Sequence, residues 1–134
     1  MTDLLLNAYQ TTVLACGALA SLLLIQLLIA DVVGITSKHV PGTLVEASHD
    51  NLLFRVSRTV ANANESIAVF ILIVLFCVFS GADATYTGYL AWAYVISRVA
   101  YALCYYFNQQ MLRSLCFGIS LLLLLVMLIV GFVT

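Results

Sequence analysis

Long apolar runs separated by short polar clusters divide this chain into four segments. The first runs from Leu4 to about Gly34, with Gln26 and Asp31 its only strongly polar residues beyond the opening turns. A mixed connection follows, holding Lys38, His39, Pro41, Gly42, Glu46, His49 and Asp50; proline, glycine and charge together mark a loop. The second segment, about 51–80, starts at Asp50 or Asn51, either of which can cap a helix. At about 1.5 Å per residue it measures some 45 Å, longer than the roughly 30 Å of bilayer hydrocarbon, so its polar first third belongs among headgroups or inside a bundle. Ser80, Gly81, Ala82 and Asp83 end it, and the third and fourth segments cover about 86–107 and 115–133, with a short polar connection from Asn108 to Ser114 between them. Each segment is long enough to cross a membrane as a helix.

Composition narrows the class. The 134 residues are 64% hydrophobic and 8% charged, against about 25% charged in a soluble domain. An all-α integral membrane protein, a four-transmembrane-helix bundle forming one domain, is the expectation. The net charge of -1 gives no reason to expect nucleic acid. Cys16, Cys77, Cys104 and Cys116 all fall in apolar segments without metal-ligand spacing and read as small buried hydrophobes. His39, Glu46, His49 and Asp50 match no compact ligand pattern either, so no metal is expected. Met1 to Asp3 carry no Lys or Arg, which argues against a cleaved leader. Lys38, Arg55 and Arg58 flank the first connection and Arg113 lies in the third, whereas the second holds Asp83 alone. By charge bias the first and third connections are cytoplasmic and both termini face the other side.

The candidate chemistry sits on two helix faces. At about 100° per residue, Arg55, Arg58, Asn62 and Glu65 fall inside roughly an 80° arc of the second helix, and thirteen uncharged residues, Ile67 to Phe79, follow. On the third helix Tyr94, Arg98, Tyr101 and Tyr105 share an arc of about 60°. Counting from the turn between them, Glu65 and Arg98 lie at comparable depth, so an ion pair between them is feasible, and charges within a bilayer usually pair in the interior. One glutamate neutralises one arginine, which leaves Arg55, Arg58 and Arg113 as surplus positive charge on one side. Arg55 alone also fits a headgroup residue reaching for lipid phosphate, and Tyr94 an ordinary interior aromatic. No phosphate loop, nucleophile elbow or HExxH is present. Arginines, tyrosines and a serine suit the binding of an anionic molecule and the stabilisation of an anion on it, such as a thiolate.

Arg58-x-x-x-Asn62-x-x-Glu65 on the second helix, Arg98-x-x-Tyr101-x-x-x-Tyr105 on the third and a basic residue before the fourth together resemble the MAPEG family, the membrane-associated proteins in eicosanoid and glutathione metabolism. The resemblance runs from about Gly34 to the end of the chain. It implies a homotrimer with glutathione bound between neighbouring subunits near the cytoplasmic face. Enzymatic members transfer glutathione to lipophilic electrophiles, reduce lipid hydroperoxides or isomerise an endoperoxide. By position, Arg58, Asn62, Glu65, Tyr101 and Tyr105 would hold the tripeptide, with Arg98 on the same face and Lys38 as a further cation. Arg113 would stabilise the thiolate, with Ser114 beside it. The function implied is a glutathione-dependent membrane transferase or peroxidase; the alternative is a non-catalytic lipid-binding or scaffold member whose Arg58, Glu65 and Arg98 hold helices together.

Overall fold

A computed structural model of the protein describes residue 4 and residues 7–134. Four helices run through it: α1 (Gln10–Thr36), α2 (Leu52–Ser80), α3 (Ala84–Tyr106) and α4 (Gln110–Val133). The expected start of the first segment and the reading of Met1 to Asp3 fall partly or wholly outside the described residues. Three of these helices, α1, α2 and α4, are long and apolar enough to cross a membrane by themselves. Helix α3 is more polar, because it carries Arg98 and the tyrosine row, and those groups are turned into the bundle rather than outward.

Helices α2 and α3 form the middle of the bundle, each packing on α1 on one side and on α4 on the other. The core is built from Ala15 and Leu19 of α1, Phe70, Ile73, Val74 and Cys77 of α2, Ala91, Tyr94 and Val95 of α3, and Leu124 and Met127 of α4. Small residues set the closest approaches, as expected where helices pack in lipid without a hydrophobic drive. A Cβ on Gly88 would lie 3.0 Å from Thr11 of α1, and one on Gly131 would lie 2.6 Å from the Phe76 ring of α2. Outward faces present aliphatic side chains such as Leu24, Leu28, Leu72, Ile96, Leu122 and Ile129. All four cysteines are free; Cys77 is buried as expected, while Cys16, Cys104 and Cys116 are half-buried.

The same device closes three helices. Past α1, α2 and α3 the chain turns through a left-handed residue, Lys38 (φ 53), Gly81 (φ 75) and Asn108 (φ 58). In each case the next amide reaches back five residues: His39 to the Gly34 carbonyl at 3.0 Å, Ala82 to Cys77 at 2.9 Å and Gln109 to Cys104 at 2.7 Å. Glycine and asparagine tolerate that conformation; lysine does so at a cost of order 1 kcal/mol. Asn51 caps α2 by accepting from the Leu53 amide at 3.0 Å, and Asp83 caps α3 by accepting from Thr85 and Tyr86 at 2.9 Å each. The Tyr9 hydroxyl donates to the Ala82 carbonyl, tying the start of α1 to the α2–α3 turn.

Two boundaries differ from the pattern of polarity, and both move site residues. Helix α3 begins at Ala84 rather than Tyr86, and α4 begins at Gln110 rather than Leu115. Arg113 and Ser114, expected in the connection, therefore lie in the opening turns of α4. Apolarity marks where a helix enters hydrocarbon and not where its hydrogen bonding starts, so Gln110, Arg113 and Ser114 are helical despite being polar.

Candidate functional site

Three helices bring the polar residues together. On α2, Arg58 is exposed, Asn62 is buried to 8% exposure and Glu65 is exposed again. Arg55 sits nearer the loop, where its guanidinium donates to the His49 carbonyl at 2.6 Å. On α3, Tyr101 and Tyr105 are buried and meet edge to face with their ring centres 5.6 Å apart. From α4, the Arg113 guanidinium lies over the Tyr105 ring at 4.5 Å, and Phe117 approaches Tyr101 at 6.3 Å. The Arg98 guanidinium lies over the Tyr101 ring at 4.4 Å. Tyr101 and Tyr105 thus each carry an arginine on the ring, Arg98 from α3 and Arg113 from α4.

Arg98 occupies a different position from the one its spacing suggests. It is 2% exposed, its guanidinium lies 4.4 Å from the centre of the Tyr101 ring, and its Nη2 donates to Asn62 Oδ1 at 2.6 Å. The expected ion pair with Glu65 is replaced by this bond to the amide one turn earlier on α2. Depth does not decide between them, since Arg98 lies 14 residues from Ala84 while Glu65 and Asn62 lie 15 and 18 residues from Ser80. Direction does, because Asn62 is turned into the bundle whereas Glu65 is exposed and faces outward. Arg98 therefore organises the interior and does not reach the surface.

A cleft of about 140 Å³ opens between α2 and α4 beside these groups, lined by Asn62, Glu65, Ser66, Val69, Phe117 and Leu121. Its two ends differ in chemistry. Asn62 and Glu65 supply an amide and a carboxylate at one end, with Arg58 one turn before Asn62 on α2; Val69, Leu121 and Leu124 make the other end apolar.

The remaining expected site residues fall elsewhere. Lys38 is exposed just beyond α1 and does not line this cleft. Ser114 is exposed and its hydroxyl donates to the Gln110 carbonyl at 3.1 Å, back onto its own helix. Tyr94 is core: its ring stacks on Phe70 at 4.7 Å and its hydroxyl donates to Ser66 Oγ at 3.0 Å. One neighbour of the site escapes the spacing argument altogether. His49, from the loop before α2, packs edge-on against Phe54 at 5.3 Å and lies 6.2 Å from Tyr105. The loop thereby folds over the same end of the bundle as Arg113. A contact between a loop and a helix more than fifty residues away leaves no periodic signal, so only His49's closeness to the helix cap hinted at it.

The chemistry available is that of an anion site with one carboxylate to receive a cation. Two arginines, a fixed amide and two phenols supply donors, Glu65 supplies an acceptor, and the adjoining apolar surface opens toward lipid. Among the described residues no three His, Cys, Asp or Glu side chains gather as a metal site would require. Comparisons with curated proteins and with solved structures give no match. The model of one family does match, over residues 12–133, from the first full turn of α1 to the last residue of α4. With nearly its whole length covered and with this helical bundle, the chain belongs to the MAPEG family, membrane proteins of eicosanoid and glutathione metabolism.

Proposed function

We propose that this protein is a glutathione-dependent membrane transferase or peroxidase, conjugating or reducing lipophilic electrophiles that enter from the bilayer. The observation that carries this reading is the two-ended cleft between α2 and α4: charged and amide groups at one end, aliphatic surface at the other, and Arg113 held over Tyr105 close by. Glutathione carries two carboxylates, one ammonium and a thiol. Arg58 and Asn62 suit the carboxylates, Glu65 the ammonium, and Tyr101 stands behind Phe117 of the cleft wall with Tyr105 beside it. When bound, glutathione supplies a thiol whose anion attacks or reduces the electrophile. Arg113 contributes the positive charge that favours that anion; Ser114 lies beside it with its hydroxyl proton directed to the Gln110 carbonyl. Lowering a thiol from about 8.5 to 6 or 7 needs roughly 2 to 3.4 kcal/mol of preferential stabilisation, which one partly desolvated arginine can provide.

The working unit is a homotrimer. Arg58 and Glu65 are exposed on a single protomer, and charged groups facing lipid are unfavourable, so a neighbouring subunit covering them removes that cost. Lys38, outside its own protomer's cleft, is placed as a cation for the neighbour's site. In this orientation the first and third connections are cytoplasmic and both termini face away. Crosslinking in mild detergent should give trimers at the end point; monomers alone would overturn the assembly.

Calorimetric titration with glutathione tests the activity reading. Micromolar to low-millimolar binding is expected, with ultraviolet thiolate absorbance persisting well below the pH at which free glutathione loses it. The sign follows from Arg113: a cation lowers the thiol's pKa, so the anion survives to lower pH. Absence of binding at several millimolar would transfer the assignment to a non-catalytic lipid-binding or scaffold protein, a reading that the interior bond from Arg98 to Asn62 favours.

A further inference from the structure

Where α1, α2 and α3 meet, the interior contains a cavity of about 10 Å³ lined by Gln26, Ser66, Tyr94 and Arg98 together with leucines of α1. The polar atoms facing it are incompletely bonded. Gln26 and Arg98 are each 2% exposed, and both Gln26 Oε1 and Arg98 Nη1 lack a partner. The other groups are already engaged, since Tyr94 donates to Ser66 Oγ and Ser66 Oγ lies 3.3 Å from the Ala63 carbonyl. An unbonded buried donor that carries charge is costly, the more so where the surroundings are lipid. The cavity volume matches about one water molecule, and a water requires polar partners of this kind.

We propose that this cavity is a resident water site joining Arg98 to Gln26, and that Gln26 is thereby a positioning residue for Asn62. The water accepts from Arg98 Nη1 and donates to Gln26 Oε1, so both orphan atoms are satisfied by one molecule. Its consequence reaches the cleft through the other arm of the guanidinium. Nη2 donates to Asn62 Oδ1 at 2.6 Å, and because arginine only donates, the atom facing it must be the amide oxygen. The Asn62 nitrogen, with its two donors, is then left for the cleft that Asn62 lines. A chain of contacts from α1 through α3 to α2 thus sets which end of that amide a ligand meets.

This inference rests on the glutathione reading for its functional arm alone, and the test separates the two. An experimental structure of the wild-type protein at a resolution that shows waters should contain one density peak within hydrogen-bond distance of both Arg98 Nη1 and Gln26 Oε1. An empty cavity, or a direct Gln26 to Arg98 bond, overturns the water site whatever the protein binds. In calorimetry, Gln26→Leu should weaken glutathione by on the order of tenfold, with turnover at saturating glutathione changed much less, and Gln26→Glu, which keeps an acceptor, should restore most of the affinity. Wild-type affinity in Gln26→Leu would overturn the positioning role. If the wild-type protein binds no glutathione, the activity reading fails while the density result still decides the water site.

Discussion

Replacing Arg113 with alanine is expected to reduce turnover roughly thirty- to three-hundred-fold, the rate equivalent of about 2 to 3.4 kcal/mol of thiolate stabilisation, and to leave the fold intact. Two features put the effect on chemistry. Arg113 lies in the opening turns of α4, whose first residue is Gln110, so its charge adds to the positive end of the helix dipole and both act on a nearby anion in the same sense. Its stability contribution is small by comparison. The guanidinium is half-buried and its recorded partner is the Tyr105 ring at 4.5 Å, a contact worth about 0.5 to 1 kcal/mol. Thermal unfolding and crosslinking should therefore be close to wild type while steady-state kinetics collapse. Arg113→Lys should recover part of the rate, since a point charge replaces a planar fork. Full activity in Arg113→Ala would sink the enzyme assignment of this residue, and unchanged lipid binding beside absent turnover in the wild type would support the scaffold reading.

Asn62→Leu is expected to cost about 3 kcal/mol of stability, because it leaves Arg98 charged, buried and without its side-chain hydrogen-bond acceptor. Against a total of about 5 to 15 kcal/mol for a domain, such a loss is large. Adding Arg98→Leu should return most of it, since two leucines remove the stranded charge along with its partner. The double mutant is thus expected to be more stable than Asn62→Leu alone, a non-additivity that thermal or denaturant unfolding in detergent measures directly. Glu65→Ala should show far less, its carboxylate being exposed and at a distance from Arg98. If Glu65→Ala proves the more damaging and Arg98→Leu rescues that variant instead, the interior bond assigned to Asn62 is wrong.

The contrast between Asn62 and Glu65 shows what was legible in the sequence. Helical spacing placed Arg58, Asn62 and Glu65 on one face of α2 and Arg98, Tyr101 and Tyr105 on one face of α3; the two rows meet at Asn62 and Arg98, while Arg58 and Glu65 are exposed. Angular position repeats every 3.6 residues and survives small errors. Depth does not, because it depends on where a helix starts. Nor does depth select the partner: counted from Ser80 and Ala84, Arg98 lies closer to the level of Glu65 than of Asn62, yet it bonds Asn62, the side chain turned into the bundle. Arg113 illustrates the same limit: its type and approximate position were readable, but its place within α4 was not, since helices extend past the apolar stretch that reveals them. His49 and Gln26 mark the other boundary of legibility. One is a loop residue folded over the site, the other a lone polar residue in an apolar helix, and neither forms a pattern with its neighbours.

Among the four helices of the described residues, α3 alone lies outside the set that is long and apolar enough to enter a bilayer by itself. An arginine near the middle of an isolated helix costs about 2.5 to 3.5 kcal/mol to insert. The order of the chain relieves that difficulty during synthesis. By the time Arg98 leaves the ribosome, α1 and α2 have already been made, and with them Asn62, the amide to which its guanidinium bonds. Helix α4, apolar enough to insert unaided, follows after a connection of three residues and covers the other side of α3. The receptacle for the costliest charge is thus built before the charge, and the cover for it comes immediately after.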